Sequence, residues 1–370
     1  MKKLLSIIAF LVIVGIITVG IVLYAQGYRP NFKEKSIEAT GIVSIKSTPN
    51  QARVFIDGEE KGTTNIDIPD LKPGKYTIKI VKEGFSNWEK NVDVTKENVN
   101  LIQALLFPVA PSLRALTFTG VNNPLVSPNG KGIVFSLKEP EEKAGIWALN
   151  FSTSPLPSFF TKDLTQVAAD TEEIIFSESS WEFSPDGKQL LVKLPKSQRY
   201  FALDLSKENG SPKEATLDVV KIKTRWEDQA NRAIKANLKG FDKKAQLLAA
   251  SLSGIKFSPD KTKFLGRKGN GIVVLYNSNL GPAPNQEAQI YNLPAASNYL
   301  WYPDSEHVML VKTGSISIID GDGENNITVY TGDFDPALVA PWPDGSKIVI
   351  STNLNTTVSQ LSNLYAIELR

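Results

Sequence analysis

Ser127-Pro128-Asn129-Gly130-Lys131 returns as Ser184-Pro185-Asp186-Gly187-Lys188 and again as Ser258-Pro259-Asp260-Lys261-Thr262. Two looser copies follow, Tyr302-Pro303-Asp304-Ser305 and Trp342-Pro343-Asp344-Gly345-Ser346-Lys347. Pro presets φ at the first corner of a tight turn, and the Asp or Asn side chain braces the backbone beyond it. Gly supplies the positive φ that the reversal needs. An apolar or aromatic residue stands just before each turn: Val126, Phe183, Phe257, Trp301, Trp342. A β-rich run follows each one: Ile133-Val134-Phe135, Leu190-Leu191-Val192, Phe264-Leu265, Val308-Met309-Leu310-Val311 and Ile348-Val349-Ile350. Each copy therefore predicts a hairpin. A third run follows at 146–149, 200–203, 272–275, 316–319 and 364–367, and a weaker fourth at 287–291 and 326–330.

The five prolines stand at 128, 185, 259, 303 and 343, at intervals of 57, 74, 44 and 40. The last two match the roughly 40–45 residues of a four-stranded propeller blade, and the longer two imply insertions. A blade buries its faces only against neighbouring blades, and closure removes exposed sheet edges. Residues 109–370 thus read as a β-propeller of five or six blades, with Leu113-Arg114-Ala115-Leu116-Thr117-Phe118 as a strand that completes the last. An acid that recurs in every blade is explained by the turn, so the repeated Asp residues are assigned to turn chemistry and not to catalysis.

Composition narrows the chemistry. The charge is balanced, with 41 basic and 39 acidic residues and a net +2, which gives no argument for a nucleic-acid partner or for a strongly acidic substrate. There is no cysteine, so disulfides, thiolate catalysis and Cys-based zinc sites are excluded. The one histidine, His307, falls in the strand pattern of the fourth copy and reads as a strand or loop residue. One His without Cys leaves little room for zinc enzymology. The chain has no Gly-x-Ser-x-Gly elbow, no His-Glu-x-x-His and no P-loop. No catalytic, cofactor-binding or metal-binding residue is assigned, and no cofactor is expected.

Residues 4–25, LLSIIAFLVIVGIITVGIVLYA, carry no charge and follow Lys2 and Lys3. A run of that length spans a bilayer as a helix, and the two lysines favour a cytoplasmic N-terminus. The expectation is a signal anchor or transmembrane helix over 1–25, with Tyr24 and Tyr28 at the interface and the remainder outside. Ala25-Gln26-Gly27 also resembles a cleavage site. Residues 26–40 are polar, contain Pro30 and read as a linker.

From 41 to 108 the pattern is alternating strands: 42–45, 53–56 with an Asp57-Gly58 hairpin signal, 76–80 after Lys72-Pro73-Gly74-Lys75, and 91–94. This predicts a small all-β sandwich. The segment resembles the PEGA domain at Ser47-Thr48-Pro49, at Ala52 with Val54-Phe55-Ile56-Asp57-Gly58, and at Gly62-Thr63. The likeness continues through Leu71-Lys72-Pro73-Gly74-Lys75-Tyr76, Lys82-Glu83-Gly84-Phe85 and Trp88. The family's name motif departs in its middle two positions, where this chain has Pro49-Asn50-Gln51-Ala52. The repeats after residue 108 are similar to the TolB-type or WD40-like propeller repeat. The two resemblances imply an uncharacterised bacterial surface protein with a binding role, and they bring no catalytic residues.

Three features outside the repeats need a reading. Residues 226–250 are rich in helix formers; Asp242 can cap a helix from Gln246 to Leu252, and Gly240 separates it from an earlier turn or helix. This helical insertion accounts for the 74-residue interval, lying on a propeller face or covering a blade edge. Residues 320–326, DGDGENN, begin like a calcium loop but lack its terminal Glu, so a Gly-rich connection between two strands of the fourth blade competes with calcium binding. Trp147, Trp181, Trp226, Trp301 and Trp342 can pack between blades or line a sugar-binding surface, and Trp88 belongs to the core of the PEGA-like module.

The expected function is a non-enzymatic, membrane-anchored surface protein that presents its PEGA-like module and propeller to a protein or cell-wall glycan. Two alternatives stand beside it: a cell-wall-associated enzyme with acidic residues of raised pKa in the propeller channel, and a structural hub of an envelope complex.

Overall fold

Alternation, turn chemistry and one long apolar run generate the whole element order. The computed structural model describes residues 2–25, 28–31, 36–96, 98–152, 163–278, 289–354 and 361–370. The chain divides into two compact units, Met1–Val109 and Ala110–Arg370.

The first unit begins with helix α1, Lys2–Ala25. Its apolar stretch Ile7–Tyr24 is long enough to cross a membrane, and none of it is buried within the protein. Gln26 and Gly27, part of the candidate cleavage site, lie outside the described residues. The segment read as a linker contains paired backbone: Tyr28–Asn31 runs antiparallel to Ser36–Ala39. Beyond it, two sheets form a sandwich. Gly41–Thr48 is flanked by Ile66–Leu71, antiparallel, and by Val99–Leu105, parallel. The second sheet runs Glu59–Thr63, Arg53–Ile56, Gly74–Val81, Trp88–Val94. Val43 and Ile45 from one sheet meet Val54, Ile56, Ile78, Ile80 and Trp88 from the other. Asp57 and Gly58 both take positive φ (50° and 83°), the two-residue turn that suits the twist of a hairpin. The Asp57 carboxylate also accepts a hydrogen bond from the Thr77 N–H at 2.8 Å.

The second unit holds five four-stranded antiparallel sheets. Sheet I is Asn122–Val126, Gly132–Leu137, Gly145–Asn150, Leu164–Ala169. Sheet II is Ser180–Phe183, Gln189–Lys193, Tyr200–Asp204, Lys213–Glu214. Sheet III is Ser253–Phe257, Lys263–Arg267, Val273–Asn277, Gln289–Asn292; residues 287 and 288 of the anticipated fourth run lie outside the described residues. Sheet IV is Asn298–Trp301, His307–Lys312, Ser315–Asp320, Ile327–Thr331. Sheet V is Val339–Pro341, Lys347–Thr352, Asn363–Glu368, completed by Leu113–Ala115 from the start of the unit.

A sheet buried on both faces needs a neighbour on each side. Sheets I and II share one core, with Val134, Ile146 and Ala148 against Phe176, Trp181, Leu190 and Phe201. Sheets III and IV share another, with Leu265 and Leu275 against Tyr299, Trp301 and Leu310. Sheets V and I share a third, with Ala340, Trp342 and Val349 against Ile133, Phe135 and Leu149. Sheets IV and V are joined by the Tyr302 hydroxyl, which donates to the Gly345 carbonyl.

Between sheets II and III the neighbour is helical. Helix α2, Val219–Leu238, seats Trp226, Val219 and Ile222 on Leu191, Tyr200 and Ala202 of sheet II. Helix α3, Lys243–Ala250, seats Ala245 and Ala249 on Phe264 and Tyr276 of sheet III, in a core that Phe241 and Leu238 also enter. The insertion therefore does more than cover a blade edge or a propeller face: it packs sheet faces on both sides. It also starts earlier than the 226–250 reading, at Val219. The capping assignment holds, since Asp242 Oδ1 accepts the Ala245 N–H at 2.7 Å, although α3 begins at Lys243.

Candidate interaction surface

The repeated motif builds one end of the second unit. In all five copies the fourth residue takes a left-handed conformation: Gly130 (67°), Gly187 (69°), Lys261 (62°), Ser305 (67°) and Gly345 (73°). Its N–H donates to the carbonyl three residues back, from Gly130 to Ser127, Gly187 to Ser184, Lys261 to Ser258, Ser305 to Tyr302 and Gly345 to Trp342. The two looser copies are thus the same turn. In the three close copies the Ser hydroxyl donates to the Asx side chain two residues on, at 2.7, 2.7 and 2.5 Å.

Neighbouring turns are also bonded. Asn129 Nδ2 donates to the Asp186 carbonyl at 3.1 Å, and the Asp260 N–H donates to Ser305 Oγ at 3.0 Å. A Cβ at Gly187 would stand 2.5 Å from the Asn129 side chain, so the close approach of two turns needs glycine there as well as its positive φ does. The motif's acids are spent in this belt. The Ser184 hydroxyl and the Lys188 N–H hold the Asp186 carboxyl below its ordinary range despite partial burial. At Asp260 burial pushes upward, and the hydrogen bonds from Ser258 and Thr262 prevail to lower it.

The tryptophans are structural. Trp88, Trp181, Trp226, Trp301 and Trp342 are buried, and Trp147 is half-buried against the shared core of sheets I and V. Trp301 Nε1 donates to the Lys256 carbonyl across sheets III and IV at 2.9 Å, and Trp342 Nε1 donates to the Ser152 carbonyl across sheets V and I at 2.9 Å.

His307 is not a bland strand residue. Its ring is buried, with Nδ1 2.6 Å from Asp304 Oδ2 and Nε2 3.2 Å from Asp320 Oδ1. Burial alone would lower its pKa, but the two carboxylates outweigh that and lift it to about 9. The ring is therefore a buried imidazolium held by the fourth turn on one side and by the 320–326 connection on the other. That connection joins two strands of sheet IV. Its first carboxylate faces His307 and also accepts from Asn325 Nδ2 at 3.0 Å. No group of three or more His, Cys, Asp or Glu among the described residues is arranged to hold a metal.

The opposite end of the sheets differs in character. In each sheet the first two strands are joined at the turn-belt end by the motif turn. The middle pair, and the passage to the next sheet, are joined at the other. Phe118, Ile175, Leu354 and Leu361 lie in connections at that second end with their side chains exposed. Phe118 is 79% exposed. Thr117, Gly120 and Val121, on the connection that carries Phe118, bond to Asn363 and Ser362 beside Leu361, which brings Phe118 and Leu361 onto one patch.

The first unit offers a second surface. Arg53, Phe55, Thr77, Lys79, Val81 and Glu89 line an open groove of about 430 Å³ on the outer face of its four-stranded sheet. The Arg53 guanidinium lies over the Phe55 ring at 5.6 Å, and Lys79 pairs with Glu89 at 3.4 Å.

Comparison with known proteins gives one family match and several distant structural likenesses. Residues 40–106 match the model of the PEGA domain, spanning nearly the module read at 41–108. No curated protein matches the chain. Among solved structures, a putative TolB from Agrobacterium tumefaciens is similar at 14% identity, covering 67% of this chain and 72% of its own, with a TM-score of 0.23. An oligogalacturonate lyase from Vibrio parahaemolyticus is similar at 8% identity, covering 89% and 98%, with a TM-score of 0.28. The β-propeller domain of Cps50 (Swd1) from Myceliophteria thermophila is similar at 10% identity, covering 69% and 73%, with a TM-score of 0.21.

Proposed function

We propose that the chain is a non-enzymatic, membrane-anchored protein that displays its sheets outside the cytoplasm and binds a protein partner. In this reading the five sheets and the α2–α3 pair close as a wheel, with the helices in the place of a sixth blade. The observation that carries the proposal is the division between the two ends. Among the described residues, polar side chains at the turn belt are held in bonds within and between the turns, whereas Phe118, Ile175, Leu354 and Leu361 stand exposed on the connections opposite. Exposed apolar residues gathered in one patch mark interaction sites, and connections held by a rigid scaffold are where binding residues concentrate.

Two features support anchoring: the unburied apolar surface of α1 and the PEGA match directly after it. Acid–base catalysis draws no support from the carboxyls. Asp186, Asp204, Glu214, Asp260 and Asp304 are all shifted downward, the reverse of what a general acid needs.

Photo-crosslinking tests the reading. A benzophenone side chain at Phe118 should capture one protein in near-stoichiometric yield from intact cells, and the same group at Asn129 in the turn belt should not. Equal capture at both positions, or none at either, would refute it. Deleting residues 1–26 should release the remainder from the membrane fraction; a product that still pellets with membranes refutes the anchor.

A further inference from the structure

Helix α2 carries a feature that packing does not explain. With Trp226 facing sheet II, 100° per residue places Lys221, Arg232, Lys235 and, at the C-cap, Lys239 away from that sheet, with Arg225 on the flank and all five within one arc. All five are exposed. Several other cations of the unit sit beside acids, among them Arg199 with Glu214 at 2.9 Å, Lys263 with Glu306 at 2.7 Å and Lys223 with Glu182 at 2.6 Å. None of the five on the stripe has a carboxylate partner among the described residues; Arg232 Nε donates only to the Asp228 carbonyl. Asp228 is the one acid within the arc. At 1.5 Å per residue the row from Lys221 to Lys239 extends roughly 27 Å, in a chain whose net charge is only +2.

Two apolar side chains stand at the start of this row. Leu217 projects fully into solvent from the turn just before α2, and Val220 is 79% exposed in its first turn. A purely ionic surface has no use for them. A cationic helix face with apolar residues at its margin matches the boundary between headgroups and acyl chains. An extended acidic polymer would satisfy the cations and leave Leu217 and Val220 in water.

We propose that the outer face of α2 docks on the anionic headgroup surface of a bilayer, with Lys221, Arg225, Arg232, Lys235 and Lys239 against lipid phosphates and Leu217 and Val220 entering the interface. The proposal rests on the reading that α1 brings the chain to a membrane. Docking at this face leaves the Phe118–Leu361 patch, which lies on other connections, to its protein partner.

The absence of cysteine makes the test direct: Thr224→Cys, beside the stripe, is the only thiol and takes an NBD fluorophore. The full chain is reconstituted into phosphatidylcholine vesicles with or without 30 mol% phosphatidylglycerol, carrying a headgroup nitroxide quencher. Quenching should occur in the anionic vesicles and disappear in 0.5 M NaCl, as screening requires. Removing two charges with Arg232→Gln and Lys235→Gln should lower the docking constant about 30-fold, at roughly a kilocalorie per mole for each cation. Quenching that is equal in neutral and anionic vesicles, or unchanged by salt and by the double variant, overturns the proposal. So does saturable binding of dextran sulfate without headgroup quenching, which would assign the stripe to a soluble polyanion. Flotation after carbonate extraction reports α1 separately. A chain that floats without quenching refutes the docking alone. One that fails to float refutes the anchor, and co-sedimentation with anionic against neutral vesicles then decides the docking.

Discussion

His307 should make the stability of the second unit fall across the mildly alkaline range. The folded imidazolium has a pKa of about 9, against 6.5 for an unperturbed histidine. A raised pKa stabilises the protein fully below the unfolded value, where both states hold the proton. Above pH 6.5 the unfolded chain releases its proton while the folded one keeps it until about pH 9, so stability drains away over that window. At 1.36 kcal/mol per pKa unit the loss amounts to roughly 3 kcal/mol. Asp304 describes the same contact from the other side. Burial works against its ionised form, yet the bonds from His307 and from the Glu306 and His307 N–H groups hold its pKa below the usual value. Its share is therefore present above the ordinary Asp range and lost only in acid. The assay is urea unfolding followed by tryptophan fluorescence at pH 6, 7.5 and 9.5. His307→Gln should lose about 3–5 kcal/mol at pH 6, the cost of breaking a buried pair and leaving carboxylates unmatched, and its stability should be nearly flat across the same window. A wild-type curve as flat as the variant's would refute the clamp.

Two further outcomes follow from the turns and cores. Trp342→Ala removes a buried indole between sheets V and I together with its bond to Ser152, and should cost about 3–5 kcal/mol by denaturant titration; a loss under about 1 kcal/mol would place the indole outside that core. Lys261→Gly relieves a non-glycine left-handed residue worth about 1–2 kcal/mol, offset in part by roughly 0.5–1 kcal/mol of added unfolded-state freedom. Net stability should rise by about 0.5–1 kcal/mol in the same titration, and a fall would contradict the turn geometry.

What the sequence revealed, it revealed through local chemistry. Pro-Asp-Gly turns and the runs around them place the first three strands of every sheet, because each hairpin depends on residues a few positions apart. The Leu113 strand was legible as the missing fourth member of the last sheet. The start of α2 was not. Val219-Val220-Lys221-Ile222-Lys223 alternates like a strand, and docking of Val219, Ile222 and Trp226 on sheet II decides in favour of a helix. The His307 clamp is hard to see in the sequence because its partners come from two directions: Asp304 lies in its own turn, and Asp320 is its cross-strand partner in the next hairpin. Pairing the two strands in register on paper would have exposed it. The stripe on α2 was hidden for a similar reason. Helix propensity over 226–250 carries no information on which side Lys221, Arg225 and Arg232 fall. The pairing of Tyr28–Asn31 with Ser36–Ala39 is not legible because Tyr28-Arg29-Pro30-Asn31 has no apolar alternation to announce it.

Leu113–Ala115 finds its partner in Asn363–Glu368, at the far end of the unit. A nascent chain therefore cannot finish this body until Asn363–Glu368 has left the ribosome. Until then Leu113–Ala115 and the second strand of sheet V, Lys347–Thr352, each present a bare hydrogen-bonding margin, an invitation to a stray strand from another molecule. Bringing together segments so distant along the polymer is also slow. The unit therefore stays loosely held until Asn363–Glu368 arrives, and a frameshift just before Asn363 should be as damaging to it as one near its middle.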